Sequence, residues 1–484
     1  DSYNSDINSL AIALDTLNMQ SQHKEKSLIL SDLLQTGRDK QELYKSIAEL
    51  VKDKKINRLI GIGNDIYANS GIFEITGAFY KNTGEFIERI SDHKFRDEAI
   101  LLKGSRQFEF EKISAILEQK THLTRLEINL DALVHNLHYY RSLLEAKTKI
   151  MVMVKAFSYG SGTYEIANML QFQRADYLGV AFVDEGVNLR QAGITIPILV
   201  MSPELGSYDQ IIKYQLDPEI YSFRSLELFD EAVRRNQEIS YPVHIKIDTG
   251  MHRLGFLESE VNMLCARLAE SGNLKVISVF SHLAATDEPV HDEFSRIQIE
   301  RFNKMSDRLI KALGYKVLRH ILNTSGIERF PGAQFDMVRL GIGLYGASAF
   351  NQDKLRNVSS LKSTISQIKK VPADETVGYG RMGSLDKEVT IGIIPIGYAD
   401  GLNRRQGNGK GKFLIENKFV PIIGNICMDM CMVDVSDTDV KEGDEVVIFG
   451  DDYPVSEVAK QLDTIPYEIL TGISGRVKRI YFHE

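Results

Sequence analysis

The sequence predicts an α/β protein in three parts: a small Rossmann-like α/β domain, a (β/α)8 TIM barrel, and a mostly antiparallel β-domain. Three observations carry this. Residues 1–120 alternate helix-like and strand-like stretches. Between residues 125 and 350, eight short apolar segments alternate with amphipathic stretches, the pattern of a barrel. After about residue 355 strand-like segments dominate, separated by Gly, Asn and Asp. The expected domains are therefore 1–120, 125–355 and 356–484, and a 484-residue chain has room for them at roughly 100–200 residues each.

In the first part, Ile7–Leu17 has helical spacing of apolar residues, and Ser27–Leu30, Arg58–Ile62 and Ala99–Leu102 read as short strands. Helical patterns between them predict a parallel sheet. The polar stretch Leu117–Thr124 is the expected linker. The barrel segments are 149–154, 177–182, 196–201, 217–221, 242–247, 276–281, 318–322 and 336–340. Lys155, Asp248, His282, Asn323 and Gly341 follow such segments directly, and barrels build their active sites at those carboxyl ends. In the last part Thr390–Ile396, Lys412–Ile415, Phe419–Ile423, Met430–Val435 and Glu445–Phe449 read as strands, and Val455–Leu462 as a helix.

Composition narrows the function. The 58 Lys and Arg against 66 Asp and Glu give a net charge of −8, which argues against a general nucleic-acid binder. Three cysteines, Cys265, Cys427 and Cys431, make neither a disulfide framework nor a four-cysteine zinc site, and fit a reducing, cytoplasmic compartment. No apolar run reaches the roughly 18 residues that span a bilayer, so no membrane partner is expected. The chain opens at Asp1 and its first methionine is Met19, so a segment of a longer polypeptide is expected.

The sharpest local signal is Val154-Lys155-Ala156-Phe157-Ser158-Tyr159-Gly160-Ser161-Gly162. A lysine ends an apolar strand, and a small-residue turn opens a helix near Thr163. Partial desolvation there lowers the amine's pKa and makes it nucleophilic. The Gly-rich turn and helix start offer backbone N–H groups to a phosphate. Lysine plus phosphate cradle is what a pyridoxal phosphate Schiff base needs.

This segment resembles the cofactor motif of alanine racemases, and the resemblance continues for about 360 residues in family order. It includes Thr124–Leu133 with Asn136, Lys246–Gly255, Ser281-His282, Asn323-Thr324-Ser325 and Val338–Ile342. In the β-domain it includes Gly378-Tyr379-Gly380, Gly397–Gly401, Gly424–Asp429 and Ile465–Glu468. The resemblance implies an enzyme that interconverts L- and D-alanine for peptidoglycan, working as a homodimer with shared active sites. It implies that Lys155 holds pyridoxal 5'-phosphate as an internal aldimine, with Tyr159, Ser325, Gly341, Ile342 and Tyr467 around the phosphate. Arg253 and the Met428 backbone N–H would bind the substrate carboxylate, and His282 would lie beside the pyridine ring. Asp287, Tyr398 and Arg404 would line the access corridor.

Racemisation removes a proton from one face of Cα and returns one to the other, so two bases flank the carbon. By resemblance Lys155 serves the D-side and Tyr379, from the other subunit, the L-side. Arg339 takes the place beside the pyridine nitrogen where many pyridoxal enzymes carry a carboxylate. An arginine accepts no proton, so the ring nitrogen stays neutral and quick reprotonation at Cα is favoured over transamination. Lys246, inside an apolar strand, is either carbamylated, as in some family members, or paired with a carboxylate.

Other residues carry plainer readings. His282, Asp287 and His291 could suggest a metal site, but the racemase role is preferred, and no metal is expected. Cys427 and Cys431 read as buried strand cysteines, and His244 and His320 as satisfied core histidines. Asn425 stands where the family pattern leads one to expect arginine. Rival readings of the whole are a broader amino-acid racemase or decarboxylase of the same barrel, and a non-catalytic pyridoxal phosphate-binding scaffold.

Racemisation does not require the first 120 residues. Asp1–Ser5 with Ser9 and Leu10, then Ser31-Asp32 and Leu102–Arg106, resemble the carboxyl-terminal domain of Mur ligases. No phosphate loop of the G-x-x-x-x-G-K-[ST] type is present, so an incomplete module is expected, the tail of a ligase–racemase fusion whose other ligase domains are missing.

Overall fold

The computed structural model describes residues 7–19, 23, 25–33, 39–95, 98–117 and 123–483. The described chain divides into two compact units, the first within Asp1–Thr121 with Gln191–Gly193, the second spanning the rest. Residues 118–122 of the expected linker, and the Asp1–Ser5 motif, lie outside the described residues.

The first unit is built on four parallel strands, β1 (Glu25–Ser31), β2 (Arg58–Ile62), β3 (Gly77–Tyr80) and β4 (Glu98–Lys103), in the order β3-β2-β1-β4. Its strands are apolar on both faces. Leu28 and Leu30 pack with Leu10, Leu14 and Ile47 on one side, and Ile29 with Ile60, Phe86 and Phe110 on the other. That is the requirement of a sheet covered by helices twice over. Ser31 Oγ accepts from Ser105 N at 2.9 Å, and the Asp32 carboxylate accepts from Tyr44 Oη at 3.1 Å and Ile66 N at 2.7 Å. β3 escapes sequence reading because it is a four-residue edge strand with little apolar alternation.

In the second unit, β5 (Arg125–Asn129) comes first. The barrel follows: β6 (Lys149–Met153), β7 (Tyr177–Val180), β8 (Ile198–Val200), β9 (Asp217–Ile220), β10 (Tyr241–Lys246), β11 (Leu274–Phe280), β12 (Leu318–His320) and β13 (Met337–Leu340). All eight fall on the expected apolar segments. They form one parallel sheet ordered β12-β11-β10-β9-β8-β7-β6-β13. The ring nearly closes: β12 and β13 share no ladder, and their flanks are linked by Asp336 N to Arg319 O and Arg339 N to Leu322 O, both 3.0 Å. Helices follow the strands, and their starts are legible. Phe223–Arg235 opens with a Ser222/Ser225 capping box. Asp292–Leu313 ends at Gly314, with φ 72°.

The remaining strands are β14 (Ser359–Thr364), β15 (Gln367–Val371), β16 (Thr376–Val377), β17 (Gly383–Ser384), β18 (Val389–Ile394), β19 (Lys412–Ile415), β20 (Lys418–Ile423), β21 (Cys431–Asp434), β22 (Glu445–Phe449) and β23 (Lys478–Phe482). Nine strands form one sheet, ordered β15-β18-β21-β20-β19-β22-β14-β5-β23, antiparallel except for the parallel pair β5 and β23. This corrects one boundary. Arg125–Asn129, expected within the barrel domain, pairs with β14 and β23 in the β-domain sheet. Its five residues alternate in burial and suit either assignment, so only the distant partner strands decide it. All three cysteines are free thiols. Among the described residues, no helix is long and apolar enough to cross a membrane.

Candidate active site

A cavity of about 220 Å³ lies at the carboxyl ends of the barrel strands. Lys155, Lys246, Arg253, His282, Arg339 and Gly341 line it from the barrel, and Tyr467 reaches it from the β-domain helix Pro466–Thr471. Tyr159 stands behind Lys155 and stacks on Tyr345 at 4.7 Å and Tyr467 at 5.6 Å.

Lys155 opens a left-handed turn. Ala156, Phe157, Ser158 and Tyr159 have φ of 52°, 57°, 49° and 54°. For non-glycine L-residues this costs roughly 1–2 kcal/mol each, so neighbours must hold it. Glu185 does so from below: its carboxylate accepts from Ala156 N at 2.6 Å and Ala181 N at 2.7 Å. β23 does so from above. Arg479 Nε donates to Gly160 O, and Tyr481 Oη to Ser161 O, each at 3.0 Å. A side chain at Gly160 would place its Cβ 2.1 Å from Leu470 O, so only glycine lets the β-domain approach this closely.

This turn corrects one expectation. Its amides are not offered to a phosphate: Gly160 N donates to Ala156 O, Ser161 N to Ser158 O and Gly162 N to Phe157 O. The turn aims Lys155 instead. The oxygen-rich end of the cavity is formed by the Tyr159 hydroxyl, the start of helix Thr324–Arg329, which carries Ser325, and the Gly341-Ile342 corner. Gly341 N donates to Thr324 Oγ1 at 3.0 Å, and a Cβ on Gly341 would fill the space 3.0 Å from the Tyr159 hydroxyl.

The cavity is electropositive, lined by Lys155, Lys246, Arg253 and Arg339. Burial, then the charge of Arg253, holds the Lys155 amine below its ordinary value, with Glu185 opposing. Burial, then Arg339, drives the His282 imidazole well below its usual range, so it stands neutral. Burial brings Lys246 down to about 8 and Arg339 to about 10, and Glu219 opposes both shifts. The buried Glu219 carboxyl is itself pushed up. Burial, then Asp287, raises the Tyr467 phenol to about 12, which keeps it a neutral donor.

Arg339 is immobilised. Its NH2 donates to Ser281 O at 2.6 Å and Ile321 O at 3.1 Å, and stands 3.5 Å from His282 Nδ1. Lys246 Nζ lies 4.3 Å from the Phe280 ring centre, a cation–π contact.

Seven expected site residues are not in this lining: Ser325 and Ile342 follow the lining residues Thr324 and Gly341 in the chain, and the other five are Tyr379, Met428, Tyr398, Arg404 and Asp287. Tyr379, Met428, Tyr398 and Arg404 sit on exposed loops of the β-domain, and Tyr379 is 71% exposed. Tyr398 and Met428 are at least joined, through Tyr398 N to Cys427 O and Ala399 N to Met428 O. Asp287 is exposed and acts on the cavity only through its charge on Tyr467. Cys431 is buried in its strand as expected, whereas Cys427 is half-buried beside it. Sequence reading missed Glu185, Glu219 and Tyr345. Asp217-Pro218-Glu219, two acids on one face of a barrel strand, was a visible signal; Tyr345 had none.

These residues fit pyridoxal phosphate. A hydroxyl-lined end suits a phosphate, a neutralisable amine stands in the middle, and a fixed guanidinium marks the far end. The cations outnumber the one buried carboxylate, which suits a dianionic cofactor and an anionic substrate.

Residues 128–349 match the family model described as alanine racemase, N-terminal domain, and 358–481 that of the C-terminal domain. Alanine racemase 2 of Caldanaerobacter subterraneus subsp. tengcongensis is 37% identical over 372 residues, covering 74% of this chain and 95% of that protein. The solved alanine racemase of Clostridium difficile 630 has a TM-score of 0.71 at 37% identity, covering 75% of this chain and 97% of that one. The enzyme from Bartonella henselae, solved with covalently bound pyridoxal phosphate, gives 0.68 at 27%, covering 75% and 100%. These matches bear on the barrel and the β-domain, and the ligase resemblance of the first 120 residues draws no support from them.

Proposed function

The chain belongs to the alanine racemase family and interconverts L- and D-alanine, and from that premise we propose how its own residues carry the reaction. The observation that carries the proposal is Lys155, aimed by a strained turn into a cavity it shares with Arg253 and Arg339. The cofactor is pyridoxal 5'-phosphate, which Lys155 would hold, and Tyr159, Ser325, Gly341, Ile342 and Tyr467 would surround its phosphate. When bound, it supplies the electron sink that makes the alanine Cα–H acidic.

Arg253 and the Met428 backbone N–H hold the substrate carboxylate. Arg339 would face the ring nitrogen and, having no acceptor for a ring N–H, would keep that nitrogen unprotonated. Neutral His282 packs beside the ring without adding charge. Lys155 exchanges a proton at one face of Cα, and a Tyr379 phenol at the other, so that the two bases flank the carbon. Tyr379 belongs to the partner in a homodimer, which is supported by its exposure and its absence from the cavity of its own chain. Asp287, Tyr398 and Arg404 line the approach.

Lys246 and Glu219 are a buried pair. Glu219 supplies the anion that a lysine carbamate would otherwise provide beside Arg253. Residues 1–120 are read as a Mur-ligase carboxyl-terminal module without an ATP loop. That reading is supported by the parallel sheet and by Ser31-Asp32 lying beside Ser105, and it predicts no ATP-dependent ligation. The activity is tested by D-alanine formation from L-alanine with the cofactor-loaded protein. Borohydride reduction followed by peptide mapping should place the label on Lys155; a label on another lysine overturns the site.

A further inference from the structure

Five consecutive barrel strands each contribute a buried polar side chain to one hydrogen-bonded line. Arg339 NH1 on β13 lies 2.7 Å from His320 Nδ1 on β12. His320 Nε2 lies 2.9 Å from Ser278 Oγ on β11. Ser278 Oγ lies 2.6 Å from His244 Nδ1 on β10, and His244 Nε2 lies 3.2 Å from Asp217 Oδ2 on β9. None of the five is more than 9% exposed. Barrel interiors are ordinarily filled by branched apolar side chains, and a buried polar group costs stability unless it is paired. A polar line at this depth therefore calls for a role that aliphatic packing does not fill.

Chemistry fixes the direction at the Arg339 end of the line, and we assign the rest by carrying that direction along it. A guanidinium can only donate, so His320 Nδ1 carries a lone pair and its proton sits on Nε2. That proton goes to Ser278 Oγ, so the Ser278 hydroxyl donates to His244 Nδ1. His244 then carries its proton on Nε2 and donates to Asp217. Arg339 heads the line and a carboxylate ends it, and burial, then the charge of Arg339, holds the His320 imidazole well below its usual range. Rings hold the planes: His320 stacks on Phe280 at 4.8 Å and 2°, and His244 meets Tyr177 edge-on at 5.8 Å. The satisfied-core reading of both histidines thus holds, but the satisfaction has a polarity.

We propose that Asp217, His244, Ser278 and His320 are positioning residues that fix Arg339 as a donor at the cavity floor, an inference that rests on the role proposed above for Arg339. The line fixes NH1 while the carbonyls of Ser281 and Ile321 fix NH2, so the guanidinium plane cannot turn. Each member is hydrogen-bonded to the next, so a change at one end is passed along the line.

The test uses histidine-15N-labelled protein without cofactor. Both rings should show Nε2 protonated and Nδ1 as acceptor. Ser278→Ala, which removes one oxygen, should move the signals of both rings. Asp217→Asn keeps the shape, touches only His244, and should still shift His320; it also carries the test if Ser278→Ala does not fold. In the loaded enzyme, Ser278→Ala should lower kcat about tenfold, the cost of breaking a buried network, with KM for alanine within about twofold. Pyruvate formed per racemisation event should rise several-fold, and Ser278→Thr should restore both. A proton on His320 Nδ1, or a His320 signal unmoved by Asp217→Asn, overturns the line. Arg339→Lys with an unchanged pyruvate yield overturns the role of Arg339 itself, whatever the nitrogen signals show.

Discussion

The Asn425 side-chain amide donates to the backbone carbonyl of Tyr379 at 2.9 Å, while its oxygen accepts from Asn408 Nδ2 at 3.0 Å. Asn425 is the residue that departs from the arginine expected there. It fastens a loop whose backbone is otherwise unusual, with φ of 80° at Gly378, 70° at Gly380 and 54° at Arg381.

Asn425→Asp turns that donor into an acceptor facing a carbonyl. We expect kcat to fall about tenfold, the scale of one neutral hydrogen bond lost and a carboxylate set against a carbonyl. If Tyr379 serves the L-face as proposed, the isotope effect with α-deuterated L-alanine should grow, while that with α-deuterated D-alanine should not. A lowered kcat with both isotope effects unchanged would mean a general folding defect rather than a displaced base.

The Lys155 amine must be neutral to attack an aldehyde. Burial and Arg253 hold its pKa below the ordinary 10.5, so the deprotonated fraction rises with pH and saturates earlier than for a free lysine. The rate at which cofactor-free protein takes up pyridoxal phosphate should therefore climb and reach its plateau below pH 10.5. Arg253→Met, which removes a repelling cation, should move that plateau toward higher pH. A profile centred on the ordinary lysine value would contradict the buried, electropositive setting.

Glu219 raises the Lys246 pKa against the effect of burial, leaving it at about 8. Glu219→Gln removes that attraction, so Lys246 should deprotonate at lower pH and react with carbon dioxide as a neutral amine. With 13C-bicarbonate, we expect a carbamate resonance in Glu219→Gln and none in Glu219→Gln/Lys246→Met. The unaltered protein should show little. A full carbamate signal in it would mean that the modified lysine, not Glu219, is the anion beside Arg253.

All eight barrel strands, and Lys155, His282, Asn323 and Gly341 at their ends, were legible because they are local, whereas Tyr159, Lys246, Arg253, Arg339 and Tyr467 were reached only through the family resemblance. An apolar run followed by Lys, His or Gly marks a strand end, whatever else the chain does. What stayed hidden depends on distant pairing. β5 joins β14 and β23 across more than 200 residues, and no local pattern announces it. The Gly160-Ser161-Gly162 turn was read as an anion cradle because its composition suits one. Only the coordinates reveal that its amides are spent internally and that its glycines admit Leu470 and Tyr481. The line from Asp217 to Arg339 was hidden for the same reason, since each member looks like an isolated polar residue in its own strand.

Lys155 and Tyr379 do not share a cavity within one chain, and Tyr379 is 71% exposed. If the partner's tyrosine completes each site, the defects can be separated by mixing. Lys155→Ala and Tyr379→Phe homodimers should each be nearly inactive, since a positioned acid or base contributes about 10²–10⁴-fold. In a mixed dimer one site collects both defects. The other receives a normal lysine from one chain and a normal tyrosine from its partner. With random exchange about half of the dimers are mixed and half of their sites intact, so activity should recover to about a quarter of that of the unaltered enzyme. The expectation assumes independent sites and a two-fold arrangement in which each chain gives its β-domain loop to the other. No recovery after demonstrated subunit exchange would place both bases in one chain, and the exposed Tyr379 loop would then have to fold inward onto its own barrel.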